Sequence, residues 1–190
     1  MPELMSAAVD AAHFTSAVQP VLVGDGGMVV RPWIPSDAEA VFVAFQDEAI
    51  QRWHVRTAES VGQVRDWIER WRSVWSAGNA QWAITCGSDL AGRIGLRKTD
   101  LAEGVTEIAY WTTPEWRGRA IAPRAANLVT QWAFDDIGFE RIELTHSIHN
   151  PQSCRVASKC GYLLEGTMRA AGRHSDGRHD MHLHARLRAD

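Results

Sequence analysis

A chain of 190 residues, 45% hydrophobic and 23% charged, is long enough to bury one core and has the make-up of an ordinary globular domain. Its formal net charge of -3 gives no long-range attraction to nucleic acid, and no apolar run approaches the ~18 residues of a membrane span. Neither nucleic acid nor membrane is therefore an expected partner, and any anion must be recognised locally. The first 27 residues include Glu3 and Asp10 but no Lys or Arg, so the cationic start of a secretion signal is missing and a cytoplasmic location is expected. Cys86, Cys154 and Cys160 are odd in number and irregularly spaced, which argues against a disulfide framework and against a zinc site.

Residues 1–19 have weak periodicity and read as an extension; a single domain is expected over 20–190. "VLVGDGGMVVRPW" reads as a turn at Gly24 to Gly27 followed by a strand from Met28. Ser36 and Glu39 form a capping-box pattern that predicts a helix through Ala49, with Ala38, Val41, Phe42 and Phe45 on one face. A second box, Ser60 with Gln63, predicts a helix whose apolar face is Val64, Trp67, Ile68, Trp71 and Trp75, ending at Gly78. "AQWAITC", "LAGRIGLRKT" and "TEIAYWTT" are three consecutive strands joined by short turns.

From Ile121 the positions Ala125, Leu128, Val129 and Trp132 form a helical stripe that stops at Gly138, and "RIELTHSIH" alternates as a strand. Strand, helix and strand make a βαβ crossover, so the strands at 106–112 and 140–149 are expected to run parallel. Asn150 and Pro151 open a short helix that Gly161 closes, and two final strands meet at Asp176 and Gly177. The class is α+β, three layers α/β/α, with a mixed and mostly antiparallel central sheet.

"WRGRAIAPRAANL", Trp116 to Leu128, sits where open sheets bind ligands, between a strand and the crossover helix. A helix start presents unpaired N–H groups and partial positive charge, a setting in which Arg117, Arg119 and Arg124 are unfavourable by roughly 0.3 to 1 kcal/mol each unless an anion is bound. The alternative is a solvated arginine cluster of no special purpose.

"EIAYWTTPEWRGRAIAPRAANLVTQWAF" resembles the coenzyme-A-binding segment of the GNAT superfamily of N-acetyltransferases, whose pattern is Arg/Gln-x-x-Gly-x-Gly/Ala. Arg117 fills the first position and Ala122 the last, while Ala120 stands where the first glycine is expected. With negative φ at that position an alanine would be close to neutral. "HNPQSCRVASKCGYLLEGTMR" resembles the Asn-x-x-Ser-x-x-Val-x-x-x-x-Gly-Phe/Tyr segment of the ribosomal-protein N-terminal acetyltransferase branch, and the order of elements matches that branch from Val21 to Arg186.

The resemblance implies an acyl-coenzyme A N-acyltransferase fold and acetyl transfer from acetyl-coenzyme A to a primary amine, by direct attack in a ternary complex and without a metal. It places the pyrophosphate on the amides of Arg117, Gly118, Arg119, Ala120, Ile121 and Ala122, and the pantetheine beside the main chain of Trp111 and Thr112. Asn150 joins the cofactor site, and Ser153, sharing a face with Val156 and Ala157, faces the cleft to protonate the thiolate. Glu107, on the strand face of Ala109 and Trp111, is the candidate general base. His146 and His149 are secondary proton-transfer candidates, while His179, His182 and His184 invite a metal reading, with His182 and His184 sharing a strand face with Asp180, against the alternative that alternating polar residues suit a half-exposed strand. The acceptor is read as a protein N-terminal α-amine or a small-molecule amine, with "DEAIQRWHVRT" and the final hairpin flanking it and Asp47 and Glu48 attracting its charge. A homodimer is left open. Rival readings are a non-catalytic acyl-coenzyme A sensor, and transfer of a succinyl group held by Arg52, Arg56 or Arg173.

Overall fold

The computed structural model describes residues 6–16 and 18–190. A short helix α1 (Ala12–Thr15) precedes β1 (Leu22–Val23) and β2 (Met28–Pro32), followed by helices α2 (Ala38–Ala44), α3 (Glu48–His54) and α4 (Val61–Ser73). Three antiparallel strands come next, β3 (Ala80–Cys86), β4 (Asp89–Asp100) and β5 (Val105–Thr112), then α5 (Ile121–Trp132) and β6 (Arg141–Ser147). Helix α6 (Pro151–Lys159) and the hairpin β7 (Leu163–His174) with β8 (Gly177–Leu187) complete the chain. All eight strands form one sheet in the order β1-β2-β3-β4-β5-β6-β8-β7. Among the described residues only the β5–β6 pair, spanned by the α5 crossover, is parallel. Among the described residues no helix is long and apolar enough to cross a membrane.

Two apolar layers sandwich the sheet. On one face Ile94, Leu96, Ile108 and Ile142 pack with Ala125, Ala126 and Val129 of α5 and Ala157 of α6. On the other, Trp33, Val41, Phe45, Val64, Trp67 and Ile68 close over Ala83 and Trp111, with the Phe45 ring edge-on to Trp67 and Trp111. The segment read as an extension contributes to the first layer. Val9 and Phe14 are buried there, Phe14 lies 4.8 Å from the ring of Trp75, and the Val9 N–H donates to the Leu101 carbonyl.

The helix predicted through Ala49 is two helices. Ser36 does not cap it; the Asp37 carboxylate instead accepts the Ile34 N–H and pairs in bidentate fashion with Arg31. Asp47 then starts α3 by accepting the Ile50 N–H at 2.9 Å, a cap strong enough to break the run at Phe45 to Asp47. The Ser60 cap is present, accepting the Gln63 N–H, while the Gln63 side chain bonds back to the Glu59 N–H.

Candidate active site

Strands β5 and β6 are paired only at Val105 with Arg141, Thr106 with Ile142 and Glu107 with Glu143. Beyond Glu107 they part, and the opening leads into two cavities. The larger, about 500 Å³, runs from the start of α5 to the face of α6. The smaller, about 280 Å³, lies between the parted strands and the final hairpin. Trp53, His54, Tyr110, Asn150 and Ser153 line both, so they mark the junction.

The larger cavity brings together most of the residues expected to hold coenzyme A: Trp111, Thr112, Arg117, Gly118, Ala120, Ala122, Asn150 and Ser153 all line it. Arg119 and Ile121 do not. The Arg119 guanidinium stacks on the Trp116 ring at 4.9 Å, and the Ile121 side chain is buried in the core. Sequence reasoning missed Trp116, Arg155 and Lys159, which also line the cavity. Gln152, Arg155, Val156 and Lys159 share one face of α6 at helical spacing, so the two cations were legible from periodicity. The donor set fits an anionic, amide-bearing cofactor: the first-turn amides of Ile121 and Ala122, cations at 155 and 159, and strand edges that no longer pair with each other, whereas the Arg117 N–H donates to the Pro114 carbonyl.

The loop itself departs from expectation at one backbone angle. Ala120 is the N-cap of α5 with φ 57° and ψ 23°, the left-handed region, and not the negative φ at which alanine is neutral. Gly118, at φ 75°, is also left-handed. A non-glycine residue in that region is strained by roughly 1 kcal/mol. The alanine therefore occupies a position that favours glycine, and Ala120→Gly is expected to stabilise the fold by about 1 kcal/mol, raising Tm by roughly 2–4 °C. Because the substitution leaves the N–H at position 120 in place, coenzyme A affinity should change less than about tenfold. Calorimetric melting and titration of the variant check both; an unchanged Tm would show that Ala120 carries no strain.

The three loop arginines have internal partners. Arg117 makes a bidentate pair with Asp47, at 2.5 and 3.2 Å, and Arg124 donates to the Asp25 carbonyl. Hydrogen bonding from Arg117, aided by the Ile50 N–H, holds the Asp47 carboxyl below its ordinary pKa. Asp47 is thus committed to a cap and an ion pair, Glu48 is exposed, and neither lines a cavity. This corrects the expectation that they attract the acceptor amine.

At the junction the Tyr110 hydroxyl lies 2.9 Å from Ser153 Oγ. Asn150 caps α6 by accepting the Ser153 N–H at 3.1 Å, which fixes the first turn carrying that hydroxyl. Burial raises the Tyr110 pKa above its ordinary value, so the phenol keeps its proton. Tyr110 was not among the expected site residues; it projects from the strand face opposite to that of Glu107 and Trp111. Burial, followed by the charges of Arg93, Arg97 and Arg56, pushes the His54 pKa down to about 3, so that ring is neutral.

Glu107 is not poised as a free base. Its side chain, 4% exposed, pairs with Arg97 Nη2 at 2.5 Å and Lys98 Nζ at 2.6 Å, and accepts from Thr145 Oγ1 at 2.9 Å. Burial alone would raise its pKa, but the charges and hydrogen bonds of Arg97 and Lys98 outweigh it and leave the carboxyl below its usual value. It lines neither cavity. His146 is buried beside the smaller cavity, whereas His149 lies against the ring of His179.

Comparison with known proteins agrees with this geometry. Residues 28–163 match the profile of the acetyltransferase (GNAT) domain. The Bacillus subtilis (strain 168) protein YdaF, provisionally named a ribosomal N-acetyltransferase, is 25% identical over 148 residues, 75% of this chain and 81% of that one. The spermidine N(1)-acetyltransferase of Escherichia coli (strain K12) is 20% identical over 73% of this chain and 74% of its own. Among solved structures, RimL, a ribosomal L7/L12 alpha-N-protein acetyltransferase in complex with coenzyme A, superposes with a TM-score of 0.82 at 18% identity, covering 90% of this chain and all of that one. With a profile match across most of its length, this chain belongs to the acetyltransferase (GNAT) domain family and is an acyl-coenzyme-A-dependent N-acetyltransferase.

Proposed function

We propose that this chain acetylates an α-amine, that of a protein or peptide N-terminus or of a small molecule of similar basicity, as in the ribosomal-protein branch of the family. The observation that carries this reading is the lining of the smaller cavity. Among the described residues it contains Arg97, Arg173, His54, His146 and His174 and no carboxylate. A polyamine such as spermidine carries several positive charges and needs acidic partners; here it would meet the guanidinium groups of Arg97 and Arg173 instead. A site without a free carboxylate also has little to deprotonate its substrate with. At pH 7 an α-amine of pKa ~8 has about two hundred times the neutral fraction of an amine near ~10.4.

In the proposed mechanism, the larger cavity holds acetyl-coenzyme A with its pyrophosphate over Arg117 to Ala122, the thioester reaching the junction. The acceptor enters through the smaller cavity and attacks the thioester carbonyl as a free amine. The Tyr110–Ser153 pair donates a proton to the departing thiolate and is reprotonated as the nitrogen, cationic after attack, gives up its extra proton to form the neutral amide. Arg97 remains with Glu107, which positions it at the cavity wall. A second reading is favoured by Arg173 alone: of the three arginines considered for holding a succinyl carboxylate, it lines the cavity, while Arg52 pairs with Asp176 and Arg56 stacks on Trp67.

The test is mass spectrometry of an amine and peptide panel incubated with acetyl- or succinyl-coenzyme A at pH 7. Peptide α-amines should be acetylated with kcat/KM at least about tenfold above spermidine and lysine side chains. Preference for spermidine would overturn the acceptor assignment, and preference for the succinyl donor would establish the second reading.

A further inference from the structure

Behind the junction, three histidines and a cysteine converge. His146 on β6 and His182 on β8 are cross-strand partners, and His184 lies opposite Leu144, one step along the same face. Cys154, in the first turn of α6, comes down onto them. Each of the four offers one ligand atom, and these atoms all lie within 4.8 Å of one another.

The hydrogen bonding within this cluster leaves a cation-sized deficit. His146 Nδ1 is 2.8 Å from the Ser147 carbonyl oxygen and His184 Nδ1 is 3.2 Å from that of Tyr162. A carbonyl only accepts, so both Nδ1 atoms carry the proton and, in a neutral ring, both Nε2 atoms carry lone pairs. Yet the two Nε2 atoms face each other at 3.2 Å. Two lone pairs at that distance repel unless something positive lies between them. A third ring nitrogen, His182 Nδ1, is buried with no hydrogen-bond partner among the described residues.

We propose that His146, His182, His184 and Cys154 form a zinc site. Three imidazoles and a thiolate are a donor set that zinc favours, and a tetrahedral ion with bonds of ~2.0 to 2.3 Å wants its ligands roughly 3.3 to 3.7 Å apart. The two Nε2 atoms, at 3.2 Å, lie just inside that spacing, and ligand atoms no more than 4.8 Å apart need shifts of only about an ångström. The two main-chain carbonyls are the outer partners that commonly orient metal-bound imidazoles. A bound ion would tie β6 and β8 to the first turn of α6, the turn that carries Ser153 into the cleft, so its occupancy would bear on the junction and on the smaller cavity that His146 lines. Zinc binding displaces the thiol proton of Cys154 and requires no redox partner. His182 and His184 are neighbours in sequence, but the site as a whole is hidden there, because His146 and Cys154 join them only in the folded sheet and helix.

The full chain, stripped with a chelator and dialysed, is titrated with zinc chloride by calorimetry, and with cobalt(II) by visible absorption. About one equivalent of zinc should bind with Kd below about 1 µM and raise Tm. Cobalt should give the intense visible bands of a tetrahedral site together with a thiolate charge-transfer band. Cys154→Ser should abolish that band, and Cys154→Ser and His182→Gln should each weaken zinc binding at least about tenfold, while Cys86→Ser leaves it unchanged. Absence of zinc binding at about 100 µM, or a cobalt spectrum without a thiolate band in the unaltered chain, would overturn the proposal whether or not the variants fold. These readouts do not depend on acetyl transfer, so the zinc site and the acceptor assignment stand or fall separately.

Discussion

Replacing Tyr110 by phenylalanine is expected to lower kcat about a hundredfold while leaving the KM for acetyl-coenzyme A nearly unchanged. General acids contribute typically 10² to 10⁴, and the lower end applies because a thiol of pKa ~8.5 leaves with modest help. Phenylalanine keeps the ring that lines the cavity and removes only the hydroxyl that meets Ser153 Oγ at 2.9 Å. The loss should therefore fall on the step in which charge develops on sulfur, not on cofactor binding. Ser153→Ala should show a loss of similar kind. The double variant should be little worse than the poorer single one, because two hydroxyls passing one proton act as a unit. Steady-state thiol release with a good peptide acceptor measures all four proteins. If both single variants stay within about threefold of the unaltered chain, the hydroxyl pair is not the acid.

The reach of the sequence can be judged from this same pair. Ser153 was legible because its cues are local: an asparagine cap, a proline after it, and helical spacing to Val156. Tyr110 was not, although it stands in the same strand as three residues that were singled out. Alternation splits β5 into two faces with equal claim, Glu107 with Trp111 on one and Ile108 with Tyr110 on the other. Which of them meets the cleft depends on where β5 parts from β6, a property of pairing between residues some 36 positions apart. The same limit explains Ala120. The loop was recognisable from its place between strand and helix, but its left-handed backbone is set by how α5 must be aimed, and no neighbour in sequence reports it. Asp47 and Glu107 show the complementary failure. Both were read as free carboxylates because their cationic partners become neighbours only in the fold, Arg97 and Lys98 through the β4–β5 pairing and Arg117 where the loop before α5 meets the start of α3.

Glu107 gives the second large effect, and it should appear in stability before it appears in rate. Glu107→Gln keeps a side chain of the same size but removes the charge that Arg97 and Lys98 share. Fully buried pairs cost roughly 3–5 kcal/mol to break; here the carboxylate is buried but the cations are 47% and 69% exposed, so about 2 kcal/mol is expected. The pH dependence follows from the depressed pKa. A carboxyl whose folded pKa lies below its unfolded value of ~4.3 contributes stability that is fully present above that value and is lost as the pH falls through the folded pKa. The Tm gap between the unaltered chain and the variant should thus be widest from about pH 5 upward and close in stronger acid. At a temperature where both proteins are folded, kcat should change less than about threefold. A variant with normal Tm and a kcat lowered more than about a hundredfold would instead restore Glu107 as the general base. That outcome would also remove the reason for restricting the acceptor to weakly basic amines, since a working carboxylate could serve a lysine or a polyamine as well. The measurement on one buried glutamate therefore decides between a chain that waits for an amine already neutral and one that makes its own nucleophile.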